Sequence, residues 1–140
     1  MPFDTRGLEV LEHDECLSLL ARAPLGRIVF TDRALPAVLP VNFALDGEDV
    51  IIRTGAGSKL AAAARNAIVA FEADEYDPAT RTGWSVVLVG PARVVTDPAE
   101  RARLERLAPE PWAPGKREHF IRIRAGLVSG RRIGSADGSS

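Results

Sequence analysis

The chain is short of the side chains that most reactions borrow. It holds one cysteine, Cys16, in 140 residues, so no internal disulfide can form. Its place in an amphipathic segment marks it as a small buried apolar residue rather than a reactive thiol. Only two histidines occur, His13 and His119. They lie far apart and have no companion at a familiar metal-ligand spacing, so no metal is expected. No serine stands in a nucleophile-elbow context, which argues against a hydrolase triad. An excess of one charge is missing as well. Eighteen Lys and Arg against nineteen Asp and Glu leave a net charge of −1, which argues against a general nucleic-acid or membrane-surface role. The opening Met1-Pro2-Phe3-Asp4 has neither a basic region nor a long apolar run. No signal peptide or membrane span is expected, and cytoplasmic residence follows by default.

What is present reads as one mainly β domain over residues 13–133, after an N-terminal arm (1–12) and before a flexible Gly/Ser-rich tail (134–140). Asp14 is expected to cap a short helix that stops before Pro24. Strands are expected at Gly26 to Thr31 and Leu35 to Leu45, the second at an edge or bulged near Pro40 because proline cannot donate to a ladder. Asp46-Gly47 signals a hairpin into Asp49 to Thr54. A helix over about 58–66 precedes a strand at Ala67 to Ala73 and a loop from Asp74 to Gly83. Trp84 to Val89 is apolar on both faces, breaks at Gly90-Pro91 and resumes to Thr96. A strand apolar on both sides needs cover on both, here a barrel interior and a second subunit. Asp97-Pro98-Ala99-Glu100 matches a capped helix start, with the helix ending near Ala108. Arg101, Arg103 and Arg106, interleaved with Glu100 and Glu105, read as a solvated face. The acidic run from Glu72 to Asp77 reads as a strand end entering a solvated loop. Strands at His119 to Arg124 and Leu127 to Ile133 close the fold. Five to seven antiparallel strands with three helices predict a small barrel, closed or partly closed, with helices plugging its ends.

One stretch organises this plan. Arg53-Thr-Gly-Ala-Gly-Ser-Lys59 follows the apolar Val50-Ile51-Ile52 and precedes an alanine-rich run. It reads as strand, glycine loop and helix, with Ser58 as N-cap and the glycines free to take positive φ. From Ile51 to Phe71 there is no Asp or Glu, while Arg53, Lys59 and Arg65 are present. Lys59 opposes the helix dipole unless an anion sits there. The stretch fits a phosphate cradle or a solvated turn equally well. It is neither a Walker loop, since Leu60 follows Lys59, nor a dinucleotide fingerprint, since Leu60 stands where the third glycine belongs. Beside it remain Pro40-Val-Asn42 and Thr82-Gly-Trp-Ser85. This set has no obvious acid, base or nucleophile and suits a cofactor that brings its own chemistry. Trp84 alone reads as a core or interface anchor.

Leu25-Gly-Arg-Ile, Pro40-Val-Asn42, Arg53 to Leu60, Gly83-Trp-Ser-Val86 and Gly130-Arg-Arg-Ile133 together resemble the pyridoxamine 5'-phosphate oxidase-like family of FMN-binding split β-barrels. The likeness is strongest to its short actinobacterial-type members. The resemblance implies an antiparallel split barrel with flanking helices, a homodimer, and FMN bound at the interface. Arg53, Thr54, Ser58 and Lys59 would hold the ribityl phosphate. Pro40, Val41 and Asn42 would run along the isoalloxazine ring, with Trp84 and Ser85 approaching from the other subunit. The C-terminus lacks the histidine of true pyridoxamine phosphate oxidases, which puts vitamin B6 oxidation in doubt. The expectation is an FMN-dependent oxidoreductase with a small-molecule substrate. The alternatives are an F420-dependent reductase, with Arg65 and Arg27 as a basic path outward, and a non-enzymatic flavin- or haem-binding protein.

Overall fold

A computed structural model describes residues 2–55, 59–107 and 118–134, with Lys59 and Glu118 as backbone alone. Its strands are β1 (Glu9–Val10), β2 (Gly26–Asp32), β3 (Leu35–Val41), β4 (Phe43–Asp46), β5 (Asp49–Gly55), β6 (Ala67–Asp77), β7 (Thr82–Val94), β8 (Glu118–Ile123) and β9 (Leu127–Ile133). The helices are α1 (His13–Arg22), α2 (Lys59–Ala63) and α3 (Pro98–Leu107). All pairings are antiparallel, in the order β3-β2-β6-β7-β8-β5-β4. The ring closes covalently, because β3 and β4 are one run of chain broken only at Asn42.

The expected single strand over 35–45 is therefore two. Up to Val41 it pairs with β2, and from Phe43 it pairs with β5. Pro36 and Pro40 lie in β3, whose only ladder among the described residues is with β2, so β3 is an edge strand, where proline is tolerated.

The long strand β7 splits the barrel. It pairs β6 from Thr82 to Ala92, β9 from Gly83 to Val89, and β8 from Ala92 to Val94. Gly90-Pro91 does not interrupt it, but marks the change of partner. There the chain leaving β8 crosses closely: Arg124 N–H donates to the Pro91 carbonyl at 3.0 Å, and Gly126 N–H to the Val89 carbonyl at 3.2 Å. A Cβ on Gly90 would lie 1.8 Å from the Arg124 carbonyl oxygen, so no other residue fits.

Two further expectations need correction. Asp74 to Asp77 is strand, not loop, because β6 runs on through eleven pairs with β7; the turn is confined to residues 78–81, with Arg81 at φ 57°. Asp14 is not the cap of α1. The helix starts at His13, Glu12 occupies the cap position without a side-chain bond, and Asp14 and Glu15 fill the first turn, where they favour the dipole. By contrast Asp97 caps α3 as expected, its carboxylate accepting from Glu100 N–H at 3.0 Å. Residues 2–12 are bound to the sheet, since Glu9 and Val10 pair with Arg132 and Arg131 of β9 and Leu11 is buried.

The main core fills the barrel and the space under α1, with Leu20, Ile28, Phe71, Val86, Leu88 and Ile121 fully buried. Leu60 and Ala64 plug one end from the α2 segment. Phe71 lies edge-on to Phe43, ring centroids 4.7 Å apart, and covers Gly26, where a Cβ would meet the ring at 2.0 Å. A second cluster, Ile51, Val95, Leu104 and Phe120, seats α3 on the outside of β5 and β8. Beside it Arg122 bonds Glu100 at 2.9 Å, Asp49 at 2.8 Å and Asp46 at 2.6 Å. Arg103 also bonds Asp46, at 2.8 Å, and Arg93 reaches Glu100 at 2.7 Å. The expected solvated face of α3 is thus partly committed, because the helix packs through Leu104 and turns Arg101 and Arg103, though not the exposed Arg106, onto the barrel.

Candidate functional site

Strand alternation decides where Arg53 points. Ile51 faces outward to the α3 cluster, so Arg53, two residues on, shares that face. Its guanidinium carbon lies 5.1 Å from the centre of the Phe120 ring, and that of Arg101 lies 5.4 Å from the same centre. Thr54 is paired with His119. Phe43 faces Ile52, so the next step of that register sets Asn42 opposite Arg53. The end of β3, the break at Asn42 and the end of β5 therefore meet at one end of the barrel.

Beyond this junction α2 begins at Lys59 with no acid in its first turn. Ser58 and Gly57 lie outside the described residues. Gly55 does not use positive φ: it is an extended ladder residue opposite Glu118. The α2 helix is also shorter than the expected 58–66, because residues 64–66 form a turn that ends on Asn66 at φ 56°.

The pairing of Phe43 with Ile52 thus sets the stretch that ends β3 (Pro40, Val41) and breaks at Asn42 next in the chain to a residue paired beside Arg53 and Thr54, with the start of α2 following. The structure keeps Trp84 and Ser85 apart, three strands around from β3 on β7. Trp84 is 5% exposed and belongs to the core. Ser85 points to the opposite, outer face, where its hydroxyl donates to Glu72 at 3.4 Å.

That outer face carries groups the sequence reading missed. Arg27 of β2 bonds Glu72 at 2.9 Å and Asp74 at 3.2 Å. Burial, reinforced by the Asp74 carboxylate and opposed by Arg27, pushes the Glu72 carboxyl up to about 7. Arg27 is therefore committed to β6 and is no part of a free basic path. The only sequence signal was the i, i+2 spacing of Glu72 and Asp74, which becomes a shared face once β6 is extended. Next to this cluster the registers align Val38, Val29, Ala70, Val89 and Leu127 in one apolar row across five strands. Val38 is 56% and Leu127 72% exposed. Among the described residues no cluster could hold a metal ion, and no helix is long and apolar enough to cross a membrane.

An antiparallel barrel whose longest strand is shared between two sets of partners defines a split-barrel protein, a fold shared with solved FAD-binding proteins. The family model for pyridoxamine 5'-phosphate oxidase matches residues 12–132, and the chain belongs to that family. It is 42% identical over 137 residues to an uncharacterized protein of Mycobacterium tuberculosis, covering 94% of this chain and 90% of that one. Among solved structures, the FAD binding protein from Mycobacterium smegmatis is 39% identical with a TM-score of 0.78, covering 89% of this chain and 98% of the other. A conserved protein of unknown function from Corynebacterium diphtheriae is 35% identical with a TM-score of 0.77, covering 90% and 98%.

Proposed function

We propose that this protein is a flavin-dependent oxidoreductase that works as a homodimer and holds the phosphate of an FMN group at the junction of β3, β5 and α2. The observation that carries the reading is the Phe43–Ile52 pairing, which supports a site where the Pro40–Asn42 stretch approaches Arg53 and Thr54. The FAD-binding relative from Mycobacterium smegmatis supports a flavin as the ligand.

When bound, the flavin supplies hydride acceptance and donation. The chain supplies the rest. Arg53 brings a planar guanidinium already oriented by the Phe120 ring, suited to a phosphate. Thr54 adds a hydroxyl, and Lys59, the first residue of α2, would supply a further cation. At Asn42 the strand changes partner, and this is where backbone groups can turn to the ring edge. A second copy explains two further observations: the exposed apolar row on β3, β2, β6, β7 and β9, and the distance of Trp84 and Ser85 from Arg53 within one chain. Packing that row against its equivalent removes it from water and brings the β7 of one subunit toward the barrel end of the other.

The test is the absorption spectrum of the purified protein and titration of the apoprotein with FMN. Flavin bands or saturable binding are expected, with a dimer in sedimentation. Arg53→Ala weakens FMN by about 1.5 kcal/mol or more, roughly tenfold, through loss of a charge-assisted bond. An Arg53→Ala variant that binds as tightly as wild type would remove the junction from the site.

A further inference from the structure

The sheet face that carries the exposed apolar row also carries a charged patch, and the charges in it do not balance. The strand registers place the patch between apolar flanks. On one side runs the row from Val38 to Leu127, with Ile68, 67% exposed, one step beyond it. On the other side Tyr76, 55% exposed, lines up with Gly83 and Ile133. Between them, Arg27 and Glu72 share one row and Asp74 and Ser85 the next.

A single nitrogen, Nη1 of Arg27, serves both carboxylates, at 2.9 Å to Glu72 and 3.2 Å to Asp74. The flanking strands bring no second cation to the patch. β7 contributes only the Ser85 hydroxyl, and β3 sets Pro40 beside Arg27. Arg131 of β9 stands opposite Ser85 but is bonded to Asp4 at 3.0 Å. Neither histidine belongs to this face, since His13 bonds Glu48 and His119 pairs with Thr54. One guanidinium against two carboxylates leaves a net charge of −1 unless the patch holds a proton.

In a single chain that charge is tolerable, because water still reaches the patch. A second copy packed on the apolar row removes the water and brings an identical patch of the same sign. Two uncompensated negative charges are then buried together, which opposes association. One proton on each patch cancels the penalty. We propose that this face is a proton-coupled interface: two copies of the chain close on it as the Arg27–Glu72–Asp74 patch of each takes up one proton from solvent, so that the dimer tightens toward neutral pH and loosens above it.

This inference rests on the homodimer reading and deepens it. Glu72 is the proton's seat, since its side chain is 25% exposed against 41% for Asp74. Its carboxyl already stands at about 7 in the single chain through burial and the Asp74 carboxylate, and closure buries it further. The folded single chain therefore releases a proton above about 7 that the dimer retains, and association weakens as pH climbs through that value.

The test is sedimentation equilibrium over a concentration series at pH 6 and pH 8.5, in wild type, Glu72→Gln and Asp74→Asn, with circular dichroism to check folding. The wild-type dissociation constant should rise at least about tenfold between the two pH values, the effect of one unit of pKa change. Glu72→Gln should keep the pH 6 affinity at both, within about threefold. Asp74→Asn leaves one arginine against one carboxylate without altering Glu72, and should flatten the dependence in the same way. A wild-type dimer of equal affinity at both pH values would overturn the proton coupling and leave the homodimer standing. Full pH dependence in Glu72→Gln would assign the proton to another group and overturn it as well. A chain that stays monomeric at both pH values would overturn the homodimer reading together with this one.

Discussion

Two arginines on the outside of the same barrel illustrate opposite uses of charge. Arg122 of β8 is nearly buried and meets three carboxylates, Asp46, Asp49 and Glu100. With Arg93 and Arg103 included, the cluster balances three positive charges against three negative ones. Burial works against the Arg122 guanidinium, yet its three acceptors outweigh that and hold its pKa above the ordinary value. Arg103 and Arg122 hold Asp46 down to about 2, and Arg93 and Arg122 hold Glu100 below its usual range. Arg27 of β2 faces two carboxylates alone. There the balance is short by one cation, and Glu72 rises to about 7 instead of falling. Charge count relative to burial, not the mere presence of an arginine, decides whether a carboxylate is a fixed ion or a proton carrier near neutrality.

The largest expected effect comes from breaking the balanced cluster. Arg122→Leu leaves three carboxylates without their common partner and should cost about 3 kcal/mol of stability in urea unfolding. A loss below 1 kcal/mol would mean the cluster is solvated rather than structural. Acid sharpens the same comparison. Asp46 and Glu100 have depressed values in the folded state, so their contribution is complete above their unfolded values near 4. It is lost as pH falls through their lowered folded values, about 2 for Asp46. Stability should therefore fall steeply below pH 4 in wild type and less steeply in Arg122→Leu.

Glu72 should give the opposite slope. Its folded value exceeds its ordinary 4.5, so the folded protein holds a proton that the unfolded chain has released. Stability should decline as pH rises from about 4.5 to about 7 and stay level above that. Glu72→Gln should remove this decline and stabilise the protein at pH 8 by about 1 kcal/mol, after allowance for solvent screening of a half-buried group. Unfolding curves at pH 5 and pH 8 check it, and equal effects at both would exclude the raised value. The smallest change belongs to Ser85→Ala. Its bond to Glu72 is long at 3.4 Å, so stability should shift by less than about 0.5 kcal/mol. A larger loss would show that Ser85 makes contacts outside the single chain.

Much of the fold was legible because its determinants are local. Asp97 capping α3 and Gly47 turning between β4 and β5 at φ 62° are rules of a few residues. The motif Pro40-Val-Asn42 was legible as an irregularity, but its meaning was not. That Asn42 lies between two ladders follows only from which strands flank it. Glu72 and Asp74 were misread because a charged segment looks the same in sequence whether solvated or paired. The eleven-pair hairpin and Arg27 separate the two cases. Phe120 carried no signal at all: an alternating strand residue becomes a platform for Arg53 and Arg101 only when α3 docks.

The sequence by itself determined the turns, the caps, the alternation of the strands and the charge bias of the 51–71 stretch. Each depends on backbone sterics or on neighbours within a few residues. The tertiary structure alone decided which arginine meets which acid, where β7 changes partner, and that the chain passes from β2 to β5 as its partner on either side of Asn42. Those outcomes depend on closing a barrel from segments as far apart as Val50 and Ile123, and loop closure leaves no local trace. Arg122 shows the difference plainly: its three partners lie 22, 73 and 76 residues away in the chain, and only the folded barrel brings them within reach.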